Sequence, residues 1–224
     1  DWQLRCLQYM NDYPPDAAGG PYEFVTELST ACWPGDIIVS DTGCVLAWAM
    51  QSWRFKPGQR FIHANNQTPM GCGLPMALGA HYATGRRVIC LVGDGGAMVN
   101  VGELATIGAR RLPIKVVLFD NRGHAMCRQT QRVWLGGQYP ATSVPDLSFP
   151  RDWNLMAMGM GMAVQDDIER LLRYGGPAFL HYKCPLEADV VPKARDGHPN
   201  EDGEPLLPRD EFRRQMIVEP VSHT

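Results

Sequence analysis

Residues 87–96 read Arg-Val-Ile-Cys-Leu-Val-Gly-Asp-Gly-Gly, and this stretch decides the fold. Its apolar, partly β-branched run is bounded by Gly85 and Gly93, which predicts a short buried strand. A helical pattern follows over 101–110, and a second apolar run occupies 114–119. The order strand, helix, strand is typical of a βαβ unit, in which the two strands are parallel.

The same alternation extends outward from this unit in both directions. Further strands are predicted at 36–40, at 179–182 and, more weakly, at 59–63, with helical patterns between them. The strands are apolar on both faces, as a sheet covered by helices requires. We therefore predict an α/β fold with a parallel sheet flanked by helices.

The chain divides into three predicted segments. Residues 1–20 start with a short amphipathic piece and end in a Pro- and Gly-rich string, which is typical of an N-terminal linker. Residues 21–185 carry the alternating elements and form the predicted domain. Residues 186–224 are rich in Pro and charged residues and are predicted to form an extended tail.

Composition narrows the class of protein. Of the 224 residues, 45% are hydrophobic and 20% are charged, a balance that allows a substantial core. The net charge of −3 argues against a nucleic-acid partner, and no apolar run is long enough to predict a membrane span. The seven cysteines are scattered without CxxC spacing, which predicts reduced, buried thiols in a cytoplasmic protein.

Two neighbouring strand ends carry polar residues. Asp94 lies in the string Gly-Asp-Gly-Gly after one strand, and Asn121 follows the next strand, 27 residues further on. That spacing holds one helix and one strand, so both side chains are expected at the same edge of the sheet. A carboxylate, an amide oxygen and a backbone carbonyl near Gly123 suit Mg²⁺, which prefers hard oxygen ligands and phosphates. The glycines and the following helix start favour a phosphate group.

Two other interpretations compete with this one. The strings containing Asp94 and Asn121 also suit a tight Asp-Gly turn and an Asx turn. A dinucleotide site is less compatible, because the third glycine of GxGxxG is missing and Asp94 would repel the phosphates.

Gly93-Asp94-Gly95 followed by Asp120-Asn121 resembles the signature of thiamine diphosphate enzymes. The surrounding sequence resembles the catalytic subunits of acetolactate synthases in three places: 70–80 (MGCGLPMALGA), 103–107 (ELATI) and 126–131 (MCRQTQ). The resemblance covers nearly the whole chain and is most specific for the diphosphate-binding domain.

The resemblance implies a set of cofactor and metal contacts. Mg²⁺ is expected to be bound by Asp94, Asn121 and the carbonyl of Gly123. Thiamine diphosphate is expected to contact Thr42, Gly43, Cys44, Met70, Gly93, Asp94, Gly95, Gly96, Asn121, Gly123, His124, Ala125 and Met126.

Two of these residues are candidates for catalytic roles. Met70 matches the bulky apolar residue that supports the bent form of the cofactor, in which the aminopyrimidine lies beside the thiazolium carbon. His124, in the predicted phosphate loop, is placed to donate to an oxygen or to touch the substrate. The competing interpretations are a core methionine and a solvated loop histidine.

Three departures from the family pattern stand out. Cys44-Val45 replaces the usual Gln-His, and Thr130 stands where acetolactate synthases usually have a Trp. Nothing in the sequence matches the pyrimidine-binding domain that supplies the family's catalytic glutamate. We therefore expect a pyrimidine-domain subunit as partner, in a two-plus-two heterotetramer.

The predicted reaction is decarboxylation of a small 2-oxo acid with transfer of the acyl unit to a carbonyl acceptor. Two alternatives remain open: simple decarboxylation with aldehyde release, and a non-catalytic assembly subunit of the same fold.

Overall fold

The structure, a computed structural model, describes residues 2–14, 19–194, 197 and 201–219. Its six strands form one sheet in the order β2-β1-β3-β4-β6-β5, and every neighbouring pair is parallel. The strands are β1 (Ile37–Ser40), β2 (Arg60–Ile62), β3 (Val88–Gly93), β4 (Ile114–Asp120), β5 (Ala163–Gln165) and β6 (Ala178–Lys183). The predicted parallel α/β sheet is confirmed.

Ten helices lie among the described residues. They are α1 (Trp2–Asp12), α2 (Pro21–Ala31), α3 (Cys44–Ser52), α4 (Gly73–Thr84), α5 (Asp94–Val99), α6 (Glu103–Ala109), α7 (Ala125–Trp134), α8 (Trp153–Gly159), α9 (Ile168–Arg173) and α10 (Arg209–Gln215).

The helices cover both faces of the sheet. On one face, α4, α6 and α8 place Leu74, Ile107 and Trp153 against the central strands in a continuous apolar core. On the other face α2 and α3 pack together, and the Trp48 ring lies 5.9 Å from that of Phe119 on β4. Every residue of β1 and β4 is buried, which explains why most of them are apolar. The buried polar exceptions are Ser40, Lys115 and Asp120.

The strand order places a crevice at the centre of the sheet. From β1 the chain moves outward to β2, and it then crosses back past β1 to form β3 on the other side. Where the winding reverses, the segments following neighbouring strands separate and leave a crevice at the carboxyl ends. The ends of β1, β3 and β4 therefore form the natural ligand site of this fold.

The two ends of the chain depart from the prediction. The N-terminal segment, predicted as a linker, contains helix α1, while 15–18 of its Pro-rich stretch lie outside the described residues. The chain separates into two compact units, 1–188 and 189–224. The extended tail predicted from residue 186 is wrong for Arg209–Gln215, which forms α10.

The cysteines differ from the prediction in part. All seven are free thiols. Cys32, Cys44, Cys90 and Cys184 are buried and Cys72 is half-buried. Cys6 and Cys127 are exposed, so the prediction of buried thiols is wrong for these two.

Candidate functional site

A cavity of about 260 Å³ opens at the carboxyl ends of β1, β3 and β4. Its wall comes from the start of α3, the start of α5, the loop after β4 with the start of α7, and Met70 from the segment before α4. The cavity therefore occupies the crevice that the strand order creates.

The structure brings all thirteen predicted cofactor residues to this one cavity. They are Thr42, Gly43, Cys44, Met70, Gly93, Asp94, Gly95, Gly96, Asn121, Gly123, His124, Ala125 and Met126. Four further lining residues were not predicted, namely Val45, Trp48, Phe119 and Cys127. Three of these four, namely Val45, Trp48 and Phe119, are apolar, and together with Cys44 they make one side of the cavity hydrophobic. Cys44 and Val45 stand at the positions where the family pattern has Gln-His.

The two predicted metal-binding side chains converge on one backbone group. The Gly123 N–H donates to Oδ2 of Asp94 at 3.2 Å and to Oδ1 of Asn121 at 3.0 Å. Arg122, with a φ of 56°, turns the chain between these residues in the left-handed region that few side chains adopt. One carboxylate oxygen and one amide oxygen are thus held beside the same nitrogen.

Asp94 is a buried acid whose pKa is raised. It is only 2% exposed, and burial, together with its hydrogen bond to Asp120 and the charge of Asp120, raises the pKa of Asp94 to about 7. Burial also raises the pKa of Asp120, but hydrogen bonds from His181, at 2.7 Å, and from Asp94 outweigh that effect and lower it overall. Two buried carboxyl groups therefore face each other beside the cavity.

The chemistry of these groups would suit a divalent cation that is bound together with a diphosphate. Among the described residues that line the cavity there is no lysine or arginine to neutralise either Asp94 or a phosphate. Mg²⁺ in phosphate sites is commonly held by one or two carboxylates plus the phosphates themselves. The Asp94–Asn121 pair suits that pattern, although within the described residues no three His, Cys, Asp or Glu side chains converge as a metal-binding group.

The glycines of α5 make room for close neighbours. A Cβ on Gly95 would lie 2.5 Å from Cε1 of His124, and a Cβ on Gly96 would lie 2.7 Å from Oδ2 of Asp41. The Gly95 N–H donates to Oδ1 of Asp94 at 2.7 Å, which fixes the carboxylate at the start of the helix. Gly95 and Gly96 are therefore required by packing and not only by turn geometry.

A second loop supports the segment after β4. The His124 N–H donates to the carbonyl of Thr142 at 2.8 Å, and Gly123 pairs with Ser143 in an antiparallel bridge. A Cβ on Gly123 would lie 2.6 Å from both the Thr142 oxygen and a Leu186 methyl group. The loop that contains Gly123, whose carbonyl is a predicted metal ligand, is thus held by the 142–143 segment as well as by Asp94.

The structure places both predicted catalytic residues on the cavity wall. Met70 is 46% exposed, so it is not the core methionine of the competing interpretation. His124 is half-buried beside Gly95, and burial lowers its pKa, which favours the neutral imidazole. The chemical roles assigned to these two residues remain predictions.

Asp41 is a polar residue of this region whose role the sequence did not reveal. It is fully buried at the end of β1 and accepts hydrogen bonds from Thr42, Gly71 and Gly73. Burial raises the pKa of Asp41 against the lowering effect of these N–H donors. The sequence signal for this role was an acid directly after a buried strand. It was not sufficient, because Gly71 and Gly73, which donate to Asp41, lie about thirty residues further along the chain.

Residues 41–182 match the family described as thiamine pyrophosphate enzyme, C-terminal TPP binding domain. The chain belongs to this family. The match begins at Asp41, directly after β1, and ends on β6, so it contains every residue that lines the cavity and none of the tail. The predicted resemblance to thiamine diphosphate enzymes is confirmed.

Named relatives of this chain are large subunits of acetolactate synthases. The chain is 30% identical over 218 residues to the acetolactate synthase isozyme 2 large subunit of Escherichia coli, covering 90% of this chain and 39% of that protein. It is 31% identical to the acetolactate synthase large subunit of Parasynechococcus marenigrum, covering 96% of this chain and 35% of the relative. This TPP-binding domain is thus acetolactate synthase-like and spans less than two-fifths of these relatives.

No helix among the described residues has both the length and the apolar character needed to cross a bilayer.

Proposed function

We propose that this chain is the diphosphate- and Mg²⁺-binding part of a thiamine diphosphate-dependent enzyme. Its reaction is decarboxylation of a 2-oxo acid and transfer of the acyl unit to a carbonyl acceptor, and its active form includes a pyrimidine-binding domain. The family match and the acetolactate synthase relatives support the cofactor class.

One observation carries the proposal. Asp94 and Asn121, from the ends of two neighbouring strands, both accept a hydrogen bond from the Gly123 N–H. A scaffold protein has no need to bury a carboxyl group at a pKa of about 7 beside a second acid. A Mg²⁺ ion held by Asp94, Asn121 and the Gly123 carbonyl would offset that cost and bind a diphosphate.

The other residues of the cavity have separate tasks. Gly95 and Gly96, at the start of α5, allow phosphate oxygens to approach the backbone, and the apolar side formed by Trp48 and Phe119 excludes water. Met70 supports the bent cofactor from the segment before α4. Neutral His124 is placed to donate to an oxygen of the diphosphate or substrate. When bound, thiamine diphosphate supplies the electron sink that decarboxylation requires.

The pyrimidine-binding domain completes the site. In the resemblance that the sequence carries, that domain provides the catalytic glutamate, whereas the family match of this chain is to the TPP-binding domain. We propose a separate pyrimidine-domain subunit and a two-plus-two assembly, since two-fold symmetry is the commonest closed arrangement. The free state of all seven cysteines supports a reducing compartment such as the cytoplasm.

The experiment measures CO₂ release from a panel of 2-oxo acids with thiamine diphosphate and Mg²⁺. We expect no turnover by this chain alone and turnover after addition of a pyrimidine-binding domain. Substantial turnover by the chain alone would place the catalytic glutamate within these residues and contradict the proposed division. Release of free aldehyde as the sole product would replace acyl transfer by simple decarboxylation.

A further inference from the structure

Asp41 holds the segment that carries Met70. Its two carboxylate oxygens lie 3.0 and 3.1 Å from the backbone nitrogen of Gly71, and Oδ2 lies 3.3 Å from that of Gly73. The carboxylate is fully buried, so these N–H groups exchange water for a charged acceptor that water does not reach. The end of β1 is thereby fixed to the residues at the start of α4 and just before it.

Asn100 holds the same segment as a hydrogen-bond donor, whereas Asp41 holds it as an acceptor. Its Nδ2 donates to the carbonyl of Gly71 at 2.8 Å, so the N–H and the C=O of one residue are bound by two different side chains. Gly71 has a φ of 87°, and a Cβ there would lie 2.5 Å from Cβ of Val99. Gly71 is therefore confined by two hydrogen-bonding partners and by the end of α5.

Met70 is joined directly to this confined residue. It belongs to no helix or strand, and its half-exposed side chain has limited packing of its own. Its position at the cavity therefore depends on Gly71. Asp41 also abuts α5, because its Oδ2 occupies the space that a side chain on Gly96 would need.

We propose that Asp41 and Asn100 are positioning residues that hold Met70 at the cofactor cavity and fix it relative to α5. This inference rests on the proposed function, in which Met70 supports the bent cofactor. Neither residue lines the cavity, so each acts through Gly71 and not by touching the cofactor.

The test compares Asn100→Ala, Asn100→Asp and Asp41→Asn with the unsubstituted chain. Asn100→Asp keeps the shape but loses the donor to Gly71, and Asp41→Asn keeps the shape but loses one acceptor oxygen. Asn66→Ala is the matched control, because Asn66 is an exposed asparagine in the connection that leads to Met70. The Asn100 variants keep the test decisive if Asp41→Asn fails to fold.

The first readout is hydrogen exchange of the Gly71 amide in this chain without cofactor. We expect exchange about tenfold faster in the Asn100 and Asp41 variants, because local opening becomes easier, and no change in Asn66→Ala. If the exchange rate of the Gly71 amide is the same in all the variants, Asp41 and Asn100 do not hold Gly71 in place. That result would overturn the proposal, whatever ligand the protein binds.

The second readout uses the assembled enzyme and separates kcat from the Kd for thiamine diphosphate. We expect Asn100→Ala to lower kcat about tenfold or more while Kd changes less than about threefold, because the reactive geometry is less populated. A parallel loss of kcat and affinity would overturn the positioning role. If the unsubstituted protein binds no thiamine diphosphate, the proposed function fails, and with it the role toward the cofactor, while the exchange result stands.

Discussion

Asp94 accepts a hydrogen bond from the Gly123 N–H at 3.2 Å, across 29 residues of sequence. This bond joins the end of β3 to the loop after β4. Asn121 accepts from the same N–H, so the protein's own hydrogen bonds orient the two proposed metal-binding side chains. The cost of ordering the loop is met during folding, and less of it opposes cofactor binding.

Substitution of Gly123 should disturb this arrangement. In Gly123→Ala the new methyl group meets the Thr142 carbonyl and a Leu186 methyl group at 2.6 Å, so the loop must shift. We expect the free energy of unfolding to fall by about 1–3 kcal/mol, as for other overpacked sites, and Mg²⁺-dependent cofactor binding to weaken. Urea unfolding and calorimetric titration measure the two effects.

Gly79→Ala is the matched control for this prediction. Gly79 lies within α4, and a Cβ there meets no atom within 4 Å, so the substitution should raise the free energy of unfolding by up to about 1 kcal/mol. Equal stability of the two variants would show that the 123–142 contact is not tight.

Removal of the Met70 side chain should separate turnover from binding. In the assembled enzyme, Met70→Ala should lower kcat about tenfold or more with little change in cofactor affinity, because the diphosphate site is untouched. Met158→Ala, another exposed methionine that lies outside the cavity lining, should leave both unchanged. Wild-type kcat in Met70→Ala would remove Met70 from the catalytic machinery.

The sequence predicted the sheet and the site because both depend on local patterns. The strands around Val88–Gly93 and Ile114–Asp120 are apolar runs between glycines or prolines, and strand ends in a parallel sheet meet at one edge. The thirteen cofactor residues are a different case, because the family resemblance implied them, and they too line one cavity.

The elements that the sequence missed are those whose pattern is weak or whose partners are distant. Helix α5 starts at Asp94 with two glycines, which have low helix propensity, and β5 is only three residues long. The role of Asp41 depends on backbone N–H groups of Gly71 and Gly73, which no side-chain pattern records.

The buried Lys115 predicts a pH dependence of stability. Its Nζ donates to the Tyr174 carbonyl at 2.6 Å, and burial lowers the pKa of Lys115 from 10.5 to about 8. From about pH 8 to about pH 10 the unfolded chain therefore binds more protons than the folded one. The free energy of unfolding contributed by Lys115 should rise with pH across this window.

Urea unfolding of the wild type and of Lys115→Met at several pH values isolates this contribution. Buried thiols such as Cys32, whose pKa burial raises to about 12, act in the opposite sense in both proteins and cancel in the difference. The free energy of unfolding of the wild type, minus that of Lys115→Met, should increase from pH 8 upward. Parallel pH profiles for the two proteins would mean that Lys115 titrates at its ordinary pKa in the fold.

Asp94→Ala should leave the protein folded in the absence of cofactor. The substitution removes a buried carboxyl group that faces Asp120, so the free energy of unfolding at pH 7 should be unchanged or higher. Asp166→Ala, at an exposed aspartate, is the control and should have little effect. A large loss of stability in Asp94→Ala alone would show that the hydrogen bonds to Gly95 and Gly123 outweigh the burial of the charge.

The most direct measurement is calorimetric titration of this chain with thiamine diphosphate, in Mg²⁺ and in EDTA, for the wild type, Asp94→Ala and Asp166→Ala. The account predicts binding that requires Mg²⁺, is retained in Asp166→Ala, and is weakened about a hundredfold in Asp94→Ala, equal to about 2.7 kcal/mol. Equal affinity of the wild type and Asp94→Ala, or binding that is the same in EDTA, would contradict the assignment of Asp94 and Asn121 to a metal-bound diphosphate.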